Sequence, residues 1–227
     1  YMDRLSMDED QELSAGMLNR GVSNAQKKVE ERNFAMRKHL LEYDDVLNQQ
    51  REIIYDLRNK ALLSDSIKDT INEFIEDFIY DIIGDLDFKQ VKEWDWQSIN
   101  QQINSNLMVN IEVGEIESLE TLDELIDYIN EEALKYYKLK EDVIPSELLR
   151  KVEKFIVLKT IDEKWRNHLL GMDQLREGIG LRAYGQKNPL IEYKSESYNF
   201  FQELMISLRS TVIQRVFHAQ VSDQVQT

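Results

Sequence analysis

Cysteine is absent from the 227 residues, which excludes disulfide staples and thiolate metal sites and is compatible with a reducing compartment. Only two prolines and eight glycines punctuate the chain, too few for the turns of hairpin-rich, sandwich or barrel folds, so helix is the expected default. No apolar run approaches the roughly 20 residues needed to cross a bilayer, and no signal-peptide pattern is present. The three histidines, His39, His168 and His218, stand far apart and form no HExxH or comparable ligand pattern, so packing or surface roles are expected. The stretch Gly16-Met17-Leu18-Asn19-Arg20-Gly21-Val22-Ser23 imitates a phosphate-binding loop. Val22 stands where a lysine must reach the phosphates, and no apolar strand precedes it. Asp44 and Asp45 are neighbours, about 100° apart on a helix, and cannot form a catalytic pair by themselves. No nucleophile–base pair is visible, and an autonomous active site is not expected.

What is abundant is acid. The formal charge is -15, which repels nucleic acid and anionic lipid headgroups at long range. Between Asp85 and Glu147 there are 16 acidic and five basic side chains, the composition of a solvated acidic module. The chain is 42% hydrophobic, enough for a core in one or two domains. Its opening at Tyr1, inside a polar stretch, reads as that of an excised piece.

Residues 1–21 show no sustained period and read as a strap or the end of a preceding domain. From Val22 to Ile83 there is no Gly or Pro. Val29, Met36, Leu40, Tyr43, Leu47, Ile54 and Leu57 form a heptad-like stripe whose two gaps hold Asn33 and Gln50. Those amides argue against a uniformly dry seam. A helix over Ser23 to Lys60 would be about 55 Å long, a rod able to transmit displacement. Ser66 with Asp69 reads as a capping box opening a helix through Ile67, Ile71, Phe74, Phe78 and Ile82 to Gly84, and Thr121 with Glu124 opens another through Leu125, Ile126, Ile129, Ala133 and Tyr137. Residues 85–117 are less clear: Ile99 and Ile103 suit a short helix, and Val109 to Val113 suit a brief strand. After Pro145, Val152, Phe155, Leu158, Ile161, Trp165, Leu169, Met172, Leu175 and Ile179 mark a second long helix. Gly178, Gly180, Gly185 and Pro189 end it, and Tyr193, Phe201, Leu204, Leu208, Val212 and Val216 mark a returning helix. A helical hairpin with an irregular tip follows.

That tip, Leu181-Arg182-Ala183-Tyr184-Gly185-Gln186-Lys187-Asn188, places an aromatic ring, two cations and amides on a glycine-flanked loop. From Arg176 to Lys194 there are four basic and two acidic residues in an otherwise acidic chain. A tyrosine offers a broad apolar face with a polar end, suited to gripping polypeptides of varied sequence. It equally suits capping its own hairpin. The residues alone leave both readings open.

Two long ungapped segments carry a resemblance. Asn24 to Leu62, NAQKKVEERNFAMRKHLLEYDDVLNQQREIIYDLRNKAL, resembles the long helix of the helical scaffold domain in the SecA family of preprotein-translocating ATPases. Ile161 to Val212, containing DEKWRNHLLGMDQLREGIGLRAYGQKNPLIEYKSES, resembles that family's two-helix finger. The acidic module between them is similar to the helical wing domain in position and character, without a residue-level match. MDRLSMDED resembles the end of the family's second nucleotide-binding domain.

The resemblance implies an all-α fold: a long scaffold helix (22–63), an inserted helical wing (64–145) and an antiparallel two-helix finger (146–218), flanked by the end of a motor domain (1–21) and the start of a linker (219–227). It implies Tyr184 at the fingertip as the contact with moving preprotein, with Arg182, Gln186 and Lys187 in the same loop. Where the family reads GIHLR this chain has Gly178-Ile179-Gly180-Leu181-Arg182, which would loosen the tip. Trp165 falls on the finger helix that restrains ATP hydrolysis in the family, beside its plain reading as core packing. Arg37 and Asp45 fall on the stretch that faces the motor, as coupling residues. ATP and magnesium belong to motor domains upstream; no cofactor and no ATP hydrolysis are expected of this piece alone. The implied partners are a SecY-type channel, unfolded preproteins, the upstream motor domains and a second copy of the protein, but no nucleic acid. The implied location is the bacterial cytoplasm, peripheral on the inner membrane. The rival reading is a structural, coiled-coil-like adaptor that binds partner helices through the Val29 to Leu57 stripe.

Overall fold

The computed structural model describes residues 15–84, 86, 94–112, 114, 119, 121–179 and 188–220, within two compact units, Tyr1–Asn48 and Gln49–Thr227. Among the described residues there are six helices and no strand, so the chain is all-α as the scarcity of glycine and proline predicts. The helices are α1 Ala15–Leu63, α2 Lys68–Ile83, α3 Trp96–Leu107, α4 Leu122–Val143, α5 Ser146–Ile179 and α6 Pro189–His218.

The first unit is the beginning of α1. Its side chains are exposed from Leu18 to Leu41, including the stripe positions Val29, Met36 and Leu40, and Phe34 is 70% exposed. Tyr43 is buried, its ring 5.1 Å from that of His39.

The second unit holds the rest of α1 and the other five helices. Here the stripe is buried at Ile54, with Leu57 half-buried. Helices α5 and α6 pack along each other in opposite directions: Arg215 donates to Thr160 Oγ1 (2.9 Å), Lys164 to Ser207 Oγ (2.7 Å), and Gly171 lies against Phe200. This is the expected hairpin. The whole α6 stripe is buried, from Tyr193 and Phe201 to Val216. On α5 the stripe holds from Ile161 onward but slips earlier. Phe155 is 63% exposed beneath the Lys159 ammonium, and Leu149, Glu153, Ile156 and Val157 face inward instead. Pro189 occupies the first turn of α6, where its missing N–H is harmless, and the Asn188 side chain caps that turn through the Leu190 N–H (3.0 Å).

Helices α2, α3 and α4 cover the base of this hairpin. Arg209 of α6 grips Asp81 of α2 with a bidentate fork (2.7–3.0 Å). Ile71, Phe74, Phe78, Leu125, Ile129 and Ala133 fill the space between α2 and α4 with apolar surface. Thr121 caps α4 through the Glu124 N–H (3.2 Å), as its spacing predicts. Ser66 does not cap α2 in the expected way: it accepts from Lys68 N, and Ile67 takes the cap position without a side-chain bond. The expected short helix forms around Ile99 and Ile103. No strand forms over residues 109–112. The Asn100 amide bonds both the N–H (3.0 Å) and the C=O (3.1 Å) of Ile111, supplying what a neighbouring strand would supply.

Candidate functional site

The site begins with a polar residue in an apolar row. Leu47, Gln50 and Ile54 follow one another at spacings of three and four, so Gln50 falls on the same side of α1 as the stripe. It is only 6% exposed. Buried there, its amide must find partners or cost roughly 1–3 kcal/mol, and it finds one on each helix of the hairpin. Its Nε2 donates to the backbone carbonyl of Ser197 on α6 (3.0 Å), and its Oε1 meets His168 Nε2 on α5 (2.8 Å). A carbonyl can only accept, so the amide orientation is set by Ser197, and the imidazole must carry its proton on Nε2. Ser197, fully buried, turns its hydroxyl back to the Tyr193 carbonyl (2.5 Å), and so presents no side-chain competitor to the amide.

Aromatic rings enclose this triangle. His168, 4% exposed, stacks on Trp165 (5.3 Å) and Phe200 (5.3 Å) and meets the edge of Phe201 (5.9 Å). Burial holds its pKa down at about 4, so the ring is neutral near pH 7. Gly171, one turn along α5, makes the packing of Phe200 possible: a Cβ there would lie 2.3 Å from the ring. Trp165 also lines a groove of about 570 Å³ between α1 and α5, together with Ile54, Tyr55, Arg58, Asp162 and Leu169 among others. Arg58 and Asp162 pair across it at 3.0 Å, half-exposed and worth at most about 1 kcal/mol.

A second polar cluster joins α4 to the base of the hairpin. Glu153 of α5 is fully buried and accepts from the Tyr137 hydroxyl (2.5 Å), with the Arg150 guanidinium 2.9 Å from its other oxygen. Arg150 also reaches Glu141, which pairs with Lys68 of α2 (2.7 Å). Burial raises the Glu153 carboxyl above the usual carboxylate range, outweighing the Tyr137 hydrogen bond and the Arg150 charge. Burial, followed by the bond to Glu153, likewise pushes the Tyr137 hydroxyl upward. Lys140 donates to the last carbonyls of α6, Val216 O (2.7 Å) and Phe217 O (2.6 Å), placing a cation at the negative end of that helix. Lys154 does the same for α1 at Leu62 O (3.2 Å) and Ser64 O (2.7 Å).

Of the residues singled out from sequence, Trp165 stands beside the triangle, its ring buried against His168. Arg37 and Asp45 lie on α1 in the first unit with exposed side chains. Tyr184, Arg182, Gln186 and Lys187 lie outside the described residues. His168 takes the packing role expected of the histidines, whereas sequence reasoning did not single out Ser197 or Glu153, each a buried polar residue inside a helix read as an apolar stripe. The readable signal was Gln50, an amide where the seam calls for an apolar side chain.

Among the described residues no helix is long and apolar enough to cross a membrane, and no group of acidic or histidine side chains could hold a metal ion. Residues 12–220 match the family described as the SecA Wing and Scaffold domain. The chain is 39% identical over 224 residues to the protein translocase subunit SecA of Heliobacterium modesticaldum, covering 97% of this chain and 26% of that protein. To the SecA of Syntrophomonas wolfei it is 40% identical over 227 residues, covering 98% and 27%. To the SecA 1 of Chlorobium chlorochromatii it is 40% identical over 217 residues, covering 95% and 21%. The chain thus spans about a quarter of the length of the curated relatives it matches. With a helical hairpin bolted to a long helix and a three-helix cover at its base, it belongs to the SecA family, as the wing and scaffold portion of a SecA protein.

Proposed function

We propose that this chain couples ATP hydrolysis, carried out by motor domains elsewhere in a longer protein, to the movement of preproteins through a SecY-type channel. In this reading residues 22–63 are the scaffold helix, 64–145 the wing and 146–218 the two-helix finger, with motor and linker sequence at 1–21 and 219–227. The exposed apolar side chains Val29, Phe34, Met36 and Leu40 meet the motor domains, and Arg37 and Asp45 on the same stretch transmit their nucleotide state. Trp165 restrains hydrolysis from the finger side. ATP and magnesium bind to the motor domains, and the protein works as a peripheral component on the cytoplasmic face of the inner membrane, alone or as a homodimer.

The observation that carries this reading is the Gln50 contact to both finger helices. It ties the helix that would receive the stroke to the hairpin that would deliver it, and coupling needs such a stiff connection. The fingertip is the testable end. In the intact protein, Tyr184→Ser is expected to lower ATP-driven transport of a preprotein into inverted membrane vesicles several-fold, because the ring that grips the chain is lost. Undiminished transport would remove the finger from the mechanism.

A further inference from the structure

Apolar helix seams slide. A ridge of Leu and Ile side chains packs almost as well one turn along, whereas a hydrogen bond between buried groups is satisfied in one register only. In the sequence the apolar row of Tyr43, Leu47, Ile54 and Leu57 is interrupted once, at Gln50, and in the second unit that interruption binds an α5 side chain and an α6 backbone carbonyl together. An apolar residue of the same size would fill the space without needing either bond. The amide therefore adds positional information rather than packing. Any axial shift of the hairpin against α1 breaks both bonds at once, leaving an orphaned imidazole N–H among Trp165, Phe200 and Phe201 and an orphaned amide beside them. Such groups cost more unpaired than they gain paired.

We propose that the Gln50–His168–Ser197 triangle is a register pin that makes the part of α1 from Gln49 onward and the hairpin move as one piece, and so sets how much preprotein advances per ATP hydrolysed. The proposal rests on the coupling role argued above. Gln50 and His168 touch neither nucleotide nor preprotein in this reading; they are positioning residues. The pin predicts that register and stability can be separated. Removing one partner leaves the other unsatisfied and destabilises the fold, while replacing both by apolar groups of similar shape is close to neutral.

The test uses the intact protein with Gln50→Met, His168→Phe and the double variant, reading thermal midpoint, ATP hydrolysis and preprotein transported into SecY-containing vesicles. Each single variant is expected to melt lower than the wild type, and the double variant to recover most of that loss. Transport per ATP is expected to fall about ten-fold in the singles, the size of an ordinary coupling term, and to stay down in the double variant. A double variant that regains transport per ATP together with stability overturns the pin, since the amide would then matter only for folding. If the double variant does not fold, Gln50→Asn, which keeps the amide but shortens its reach, takes its place, and transport per ATP at the wild-type level overturns the pin. A wild-type protein without preprotein-stimulated ATP hydrolysis would instead refute the coupling role itself, a result separate from any ratio among variants.

Discussion

His168 shows how a single buried side chain converts environment into pH dependence. Its folded pKa is held at about 4 by burial, against 6.5 in an exposed chain. Between those values the unfolded chain binds a proton that the folded chain refuses, so stability is full above pH 6.5 and falls as pH drops toward 4. Glu153 acts with the opposite sign, because its raised carboxyl welcomes a proton in the folded state. Urea unfolding at pH 7 and pH 5 should therefore show a loss of stability on acidification that is smaller in His168→Phe. An equal loss in both proteins would mean that the imidazole is not shielded. The sequence made one half of this legible. Gln50 was visible as an amide in an apolar row, but its partners were not, because a hydrogen bond to a backbone carbonyl 147 residues away leaves no mark in local spacing.

Helix existence was readable almost throughout, since few glycines and prolines interrupt the periodic stripes. Face assignment was less secure. On α6 the stripe from Tyr193 to Val216 recurs cleanly and every position of it is buried, whereas on the first half of α5 the buried face includes Glu153 and Thr160, and a search for apolar repeats rotates to Phe155 instead. Polar residues that are buried because they are paired defeat such a search. The helix ends illustrate another long-range effect. Lys140, on α4, caps the carboxyl end of α6, and its ammonium is buried enough to lower its pKa. Lys140→Met should cost about 1–2 kcal/mol and leave the last turn of α6 frayed. Hydrogen exchange should show the amides of residues 214–218 losing protection while those near Phe201 keep theirs; unchanged protection would mean that solvent serves the carbonyls equally well.

The molecule as a whole holds one helix whose two portions live in different surroundings. From Leu18 to Leu41 the side chains of α1 are exposed, while Gln50, Ile54 and Ala61 in the second unit are buried. Helices without tertiary contacts are marginal in water, so α1 in this chain alone should not open as one block. Amides of residues 20–40 are expected to exchange orders of magnitude faster than those of 50–61. Uniform protection along α1 would show that the first portion has found a partner, a second copy included. The resemblance implies the hairpin and the long helix, because the segments that carry it are long and ungapped. It gave no residue-level guide to the middle of the chain, where the acidic composition marks a solvated surface but not which helix covers which.

The contrast in exposure among the three histidines has a practical consequence. His39 and His218 are open to solvent and His168 alone is sealed. Its imidazole is held in one tautomer, and nitrogen NMR of selectively labelled histidine should therefore separate its ring signals from the other two near neutral pH. The joint between α1 and the hairpin thus carries its own isotopic beacon, readable without attaching a dye or altering a residue.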